Sequence, residues 1–300
     1  MGKFIEKTFN DGTGVRTYKV HVPRASRRRL MPLIVMLHGC TQDPDDFAAG
    51  TQMNALSDEH SCVIVYPAQS TAANAAKCWN WFSAADQQRD QGEPGLIAGI
   101  TTEVMQAYRI DKQQVFVAGL SAGASMAVIM AATYPELYAA VGAHSGLSYR
   151  SAQNMLSAFA AMRNGAAVPQ SLPVIGIPII VFHGDHDQTV NPCNSEQIIT
   201  QWRASRQGSA AWSASQEETG ESNGRSYVRT QYRDIEGSPC AEHWVIRDLG
   251  HAWSGGSLKG SYTDPKGPDA SQEMLRFFLR RAGHERTGIL DRLVRRFKSR

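Results

Sequence analysis

Six short, nearly unbroken apolar runs recur along the chain: LIVMLHG (33–39), CVIVYP (62–67), QVFVAG (114–119), AAVGAHSG (139–146), PIIVFHG (178–184) and EHWVIRDLG (242–250). A strand that is apolar at successive positions must be covered on both faces, the condition of a strand inside a parallel sheet. Helical patterns separate the runs, at about 51–60, 95–108, 122–134, 193–206 and 269–283. Strand then helix, repeated, predicts an α/β chain whose mostly parallel sheet lies between two layers of helices. The alternating stretch VRTYKVHVP (15–23) predicts a half-buried strand ahead of the first run. No Ser/Gly linker and no internal repeat interrupts the pattern, so residues 1–283 are expected to form one domain.

Two segments depart from the rhythm. Residues 147–176 lie between two predicted strands and can be read as a small helical cap insertion or as connecting structure. The polar, Gly/Ser-rich stretch 208–227 predicts an exposed loop or a hairpin.

Charge is unevenly distributed. Residues 276–300 hold nine Lys/Arg against two acids, whereas the rest of the chain holds 22 basic and 26 acidic residues. The basic balance therefore belongs to the C-terminal tail (284–300), where Leu290, Val294 and Phe297 fit a short amphipathic helix. The tail is read as a solvated terminus, and no nucleic-acid partner is expected. No apolar run approaches the roughly 18 residues of a membrane span, so no transmembrane segment is expected. The N-terminus MGKFIEKTFN lacks the apolar centre of a signal peptide. Oligomeric state is not legible.

One run carries chemistry at its end. GLSAG (119–123) follows a predicted strand and opens a predicted helix, the context of a nucleophile elbow, in which a serine on a sharp turn projects beyond the sheet. A hydroxyl is a weak nucleophile until a base takes its proton, and the base needs an acid to orient it. In this kind of fold the acid and then the base follow the serine in the chain. FHGDHDQTV (182–190) offers Asp185 and Asp187, with Asp187 favoured as the acid and Asp185 as a support of the turn. DLGHAWSGG (248–256) offers His251 as base. His38 and His183, at other strand ends, are expected to brace loops. The oxyanion of acyl transfer needs backbone donors, expected from Ala122, directly after the serine, and from Cys40, after the LIVMLHG strand. An aromatic cleft is expected from Trp79, Trp81 and Trp253, with some of these rings packing inward.

These residues together resemble a known family. LHGCTQ (37–42), CWNWF (78–82), GEP (92–94), GLSAG, HGDHD (183–187) and GHAWSGG (250–256) come in the order of poly(3-hydroxybutyrate) depolymerase-type esterases, over roughly Thr17 to Leu279. The resemblance implies an α/β-hydrolase fold and cofactor-free ester hydrolysis, with Ser121 as nucleophile, Asp187 as acid, His251 as base, and Cys40 and Ala122 at the oxyanion. Ser254 stands where many relatives have proline, and Ala124 where many have glycine.

Of the five cysteines, the resemblance favours a Cys40–Cys78 bond. Cys193 and Cys240 are then the remaining pair, with Cys62 left as a core thiol. If these bonds form, the protein works outside the cytoplasm, in an oxidising extracellular or periplasmic space; five reduced thiols would place it in the cytoplasm. No Cys or His spacing indicates a metal site, and no cofactor is expected. The substrate expected is a short-chain, oligomeric or polymeric hydroxyalkanoate (polyester) ester. A feruloyl or acetyl ester of plant polysaccharide is the alternative, and a non-catalytic binding module on a hydrolase scaffold is a further one.

Overall fold

A computed structural model of the chain describes residues 2–12, 14–24, 30–166, 176–205, 212–234, 237 and 239–280. The basic tail 284–300 lies outside the described residues, as do residues 167–175 of the segment expected to form a cap.

Each of the six apolar runs forms a strand. They are β3 (Met31–Leu37), β4 (Val63–Pro67), β5 (Ile110–Leu120), β6 (Ala140–His144), β7 (Ile179–Gly184) and β10 (Pro239–Ile246). They pair in parallel in the order β4-β3-β5-β6-β7-β10. β3 shows why the runs are unbroken. Leu33, Val35 and Leu37 enter one core cluster and Ile34 and Met36 the other, because successive side chains of a strand point to opposite faces. Residue polarity therefore cannot alternate, and no side of the sheet is left to water.

Helices cover both faces: α1 (Pro44–Thr51), α2 (Met53–His60), α3 (Gly92–Ala107), α4 (Ala122–Thr133), α5 (Met155–Asn164), α6 (Cys193–Ser205) and α7 (270–280). All twelve residues of α4 are buried, as expected of a helix held between sheet and neighbours on every side. Asp269 caps α7, its Oδ1 accepting from Gln272 N at 3.0 Å.

Antiparallel strands extend both ends of the sheet. β2 (Val15–Val22) is the expected half-buried strand and pairs with β4. β1 (Lys3–Asn10) pairs with β2 as an edge strand that the apolar pattern does not mark, because most of it is exposed. The polar stretch near 208–227 belongs to a hairpin of β8 (Trp212–Ser222) and β9 (Arg225–Asp234), with β9 pairing antiparallel to β10. Asn223 and Gly224 turn the hairpin with φ of 45° and 73°, the left-handed pair that a two-residue turn requires.

Within 147–166 the structure has α5, preceded by the buried residues Leu147, Tyr149 and Ala152. Tyr149 is tied down on two sides, its N–H donating to Gln201 Oε1 at 2.8 Å and its hydroxyl to Gln87 O at 2.8 Å.

Candidate active site

The carboxyl ends of β5, β7 and β10 lead into the loops that carry the candidate residues. β5 stops at Leu120 and α4 starts at Ala122, so Ser121 alone makes the turn, at φ 56° and ψ −119°. A non-glycine residue in this region costs about 1–3 kcal/mol and persists only where its surroundings enforce it. Here Ser121 N–H donates to His144 O at 2.9 Å, and Ser121 O accepts from Ser125 N at 3.0 Å. The elbow also presses against the end of β3. A Cβ on Gly123 would overlap the carbonyl oxygens of Leu37 and His38. A Gly123→Ala variant is therefore expected to lose about 1–3 kcal/mol in a denaturant melt and at least about tenfold in kcat/KM. Wild-type values for both would disprove the close-approach argument.

Ser121, Asp187 and His251, separated by up to 130 positions, come together in hydrogen-bonded line. His251 Nε2 lies 2.8 Å from Ser121 Oγ, and His251 Nδ1 lies 2.7 Å from Asp187 Oδ2. The other carboxylate oxygen of Asp187 accepts the N–H groups of Thr189 and Val190, both at 2.9 Å. Burial pushes the Asp187 carboxyl up, but hydrogen bonds from His183 and His251, and the charge these rings can carry, outweigh it. The net effect holds Asp187 well below the usual carboxylate range. His183, expected to brace a loop, is bonded into the loop that carries Asp187. Its Nε2 donates to Val190 O at 2.8 Å and lies 3.3 Å from Asp187 Oδ2. Asp185 supports the loop that carries His251: its Oδ1 accepts from Asp248 N at 2.7 Å, and its Oδ2 lies 3.1 Å from Arg247 Nη1.

The loop after β3 is clamped from several directions. Cys40 and Cys78 form a disulfide. Thr41 N–H donates to Ala76 O at 2.7 Å, Gly39 N–H to Gln42 Oε1 at 2.9 Å, and Trp79 Nε1–H to His38 O at 3.1 Å. The N–H of Cys40 lies between two that are already engaged. His38 sits beneath, its Nδ1–H donating to Gly39 O at 2.7 Å and its Nε2 accepting from Gln69 N at 3.1 Å. Burial pulls its pKa down to about 4, so the ring braces the loop as a neutral group. His144 is pulled down further, to about 3, by burial and by the neighbouring His183 and His251. His144 Nε2 accepts the N–H of Ser254 at 3.1 Å, a bond that a proline at 254 could not make.

Two expectations need correction. Cys193 and Cys240 form no disulfide. Cys240 is buried on β10 with its Sγ donating to Tyr232 O at 3.2 Å, whereas Cys193 lies at the start of α6, against Gly165 at the end of α5. Their order in the sequence brought them near the acid and base loops but did not aim their side chains at each other. Cys62 is a buried thiol, its pKa raised to about 12 by burial.

The tryptophans are the second correction. Trp79, Trp81 and Trp253 are 1%, 5% and 0% exposed, so they present almost no face to a substrate. Trp253 stacks on His144 and gives its indole N–H to Ser271 Oγ at 3.0 Å. The exposed aromatic ring beside His251 is Tyr262, with centroids 6.5 Å apart and the Tyr262 hydroxyl 3.2 Å from Thr41 Oγ1.

Among the described residues, no cluster of three or more His, Cys, Asp or Glu could hold a metal ion, and no helix is long and apolar enough to cross a membrane.

A strained elbow serine, in hydrogen-bonded line with a histidine and an aspartate at the end of a mostly parallel sheet, marks the fold as that of an α/β-hydrolase. The solved structure of an acetyl xylan esterase from Aspergillus awamori superposes with a TM-score of 0.69 over 92% of this chain and 99% of that one, at 20% identity. A family model described as "Esterase PHB depolymerase" matches residues 16–222, and the chain belongs to that family. It is 33% identical, over 77% of its length, to poly(3-hydroxyalkanoate) depolymerase C of Paucimonas lemoignei. It is 28% identical, over 57% of its length, to acetylxylan esterase A of Talaromyces purpureogenus. The matched regions span 57% of the depolymerase and 48% of the esterase, so about half the length of these relatives.

Proposed function

We propose that the chain is a serine esterase that hydrolyses carboxylic esters through an acyl-enzyme. The observation that carries this is the hydrogen-bonded line Ser121–His251–Asp187 at a strained elbow. His251 Nε2 takes the proton of Ser121 as Oγ attacks the ester carbonyl. Backbone N–H groups of Cys40 and Ala122 receive the oxyanion. Asp187 fixes the imidazole through Nδ1–H and stabilises its cation. The alcohol leaves with the proton from His251, and water, activated by the same base, releases the acid.

For the substrate, the relative with the higher identity acts on a poly(3-hydroxyalkanoate) by its name, and a 3-hydroxyalkanoate ester is the reading we favour. Acetyl groups on xylan are the second reading, favoured by relatives named acetylxylan esterase. With Trp79, Trp81 and Trp253 inside, Tyr262 is the aromatic side chain available to an ester at the mouth of the site. The disulfide in the oxyanion loop fits work in an oxidising compartment.

A panel of 3-hydroxybutyrate oligomers, acetylated xylo-oligosaccharides and methyl ferulate tests this choice. We expect kcat/KM for the hydroxybutyrate oligomers to exceed the other two by at least about tenfold, the difference of about 1.4 kcal/mol that a few pocket contacts supply. A faster reaction with acetylated xylo-oligosaccharide or ferulate would replace the favoured substrate. No turnover of any ester by folded protein would leave the scaffold as a binding module.

A further inference from the structure

Outside the line of Ser121, His251 and Asp187, a buried acid occupies the loops behind the oxyanion turn. Glu93, in the first turn of α3, is 3% exposed, and neither the proposed reaction nor the sheet explains it. Three donors converge on its carboxylate. Asn80 N–H reaches Oε2 at 2.7 Å, Asn80 Nδ2 reaches Oε1 at 2.8 Å, and Gln69 Nε2 donates to Oε1 as well. Each amide is oriented by its other bonds. Gln69 Oε1 accepts from Ser70 N at 3.0 Å while its Nε2 also donates to Cys78 O at 2.9 Å. Asn80 Oδ1 accepts from Asn74 Nδ2 at 2.9 Å.

The segments that Glu93 joins are the ones that clamp the proposed oxyanion turn. Gln69 N–H holds His38 Nε2, Trp79 holds His38 O, Ala76 O holds Thr41 N–H, and Cys78 is bonded to Cys40. All four contacts issue from residues 69–79, and Glu93 ties both ends of that stretch to the start of α3.

We propose that Glu93 is a positioning residue for the oxyanion N–H of Cys40, acting through Gln69, Asn80 and the Cys40–Cys78 bridge. The inference rests on the esterase reading of the site and deepens it.

The clamp depends on protonation. Every partner of the carboxylate is a donor, so the ionised form satisfies all three, whereas a proton on Glu93 would find no acceptor among them and would weaken the bonds the group receives. Burial, reinforced by the charge of Asp86, pushes the Glu93 carboxyl up to about 7 against those hydrogen bonds. The charged groups facing it are few. Asp86 accepts the Glu93 N–H at 2.8 Å from the turn Ala85–Gln87, His38 lies neutral beyond Gln69, and Lys77 is paired with Asp43 at 3.6 Å. The sign follows: the active form is ionised Glu93, present above about 7 and lost as pH falls through it. The wild-type profile of kcat/KM should therefore carry on its acid side a Glu93 step near pH 7.

The test is a pH profile of p-nitrophenyl butyrate hydrolysis for wild type, Glu93→Gln and Glu93→Asp, with folding checked by circular dichroism. Glu93→Gln should lower kcat by about tenfold to a hundredfold, as for a displaced oxyanion donor, with KM within about twofold. Its acid limb should lack the Glu93 step near pH 7, and Glu93→Asp should restore one. A folded Glu93→Gln enzyme with wild-type kcat, or with an acid limb that parallels the wild type's, would overturn the proposal while leaving the esterase reading intact. If Glu93→Gln does not fold, Gln69→Leu decides: with one donor removed, the Glu93 step should move to higher pH, and an unmoved limb overturns the idea. Absence of turnover by folded wild type would overturn the esterase reading and this proposal with it.

Discussion

Replacing Ser121 with alanine is expected to abolish measurable hydrolysis of p-nitrophenyl butyrate, with kcat falling by about 10⁵- to 10⁶-fold, the loss that follows when the nucleophile of a cooperating group of residues is removed. The reason is local. Oγ is the atom that His251 Nε2 meets at 2.8 Å, and the elbow holds it beyond the sheet at φ 56°. Alanine keeps the backbone strain but has no atom to form the acyl bond. The variant should fold as wild type does, because no described hydrogen bond within the elbow other than the one to His251 uses that hydroxyl. Activity and a thermal melt measured side by side check both statements. Equal turnover by Ser121→Ala and wild type would remove Ser121 from the mechanism.

Asp187→Asn is the second large effect, expected to lower kcat by about 10⁴-fold with little change in shape. Asparagine can still accept the N–H groups of Thr189 and Val190, which hold Oδ1 at 2.9 Å. The other end of the side chain becomes an amide N–H₂ aimed at His251 Nδ1, which donates to the carboxylate in the wild type, and it lies close to His183 Nε2, whose N–H is given to Val190 O. Two donors cannot face each other, so His251 is driven to the tautomer with its proton on Nε2. In that state it offers Ser121 a donor where the reaction needs an acceptor. The negative charge that stabilises the imidazolium is lost as well. Single-turnover kinetics with a p-nitrophenyl ester measure the acylation step directly. A loss below about tenfold would mean that another group orients the imidazole.

The positions of these three residues were legible because each follows from short-range constraints. Apolar runs that end in glycine mark the strand ends of a parallel sheet, and the site lies at those ends. Gly119 and Gly123 flag a close approach that only glycine permits, and the structure shows the approach to Leu37 and His38. Of the two aspartates of HGDHD, Asp187 bonds with His251, and Asp185 bonds with Arg247 and Asp248.

Other features were not legible, for physical reasons that differ. β1 is an exposed edge, and its sequence KFIEKTFN mixes charged and apolar residues with no burial period. The aromatic character of the tryptophans in CWNWF and GHAW suggests a cleft. Direction decides burial, and Trp253 turns toward Phe47 and His144. Glu93 was visible only as part of the GEP motif. A buried acid is read from its donors, and these arrive from Gln69 and Asn80 on other loops.

The sequence by itself determined the α/β alternation, the elbow and the chain order of Ser121, Asp187 and His251, because apolar periodicity and backbone sterics act over a few residues. The tertiary structure alone decided that Cys193 and Cys240 are not bonded to each other, that Tyr262 rather than a tryptophan is the exposed ring beside His251, and that Glu93 receives donors from Gln69 and Asn80. Those outcomes depend on where a side chain points once distant loops have packed, and sequence spacing does not encode that direction.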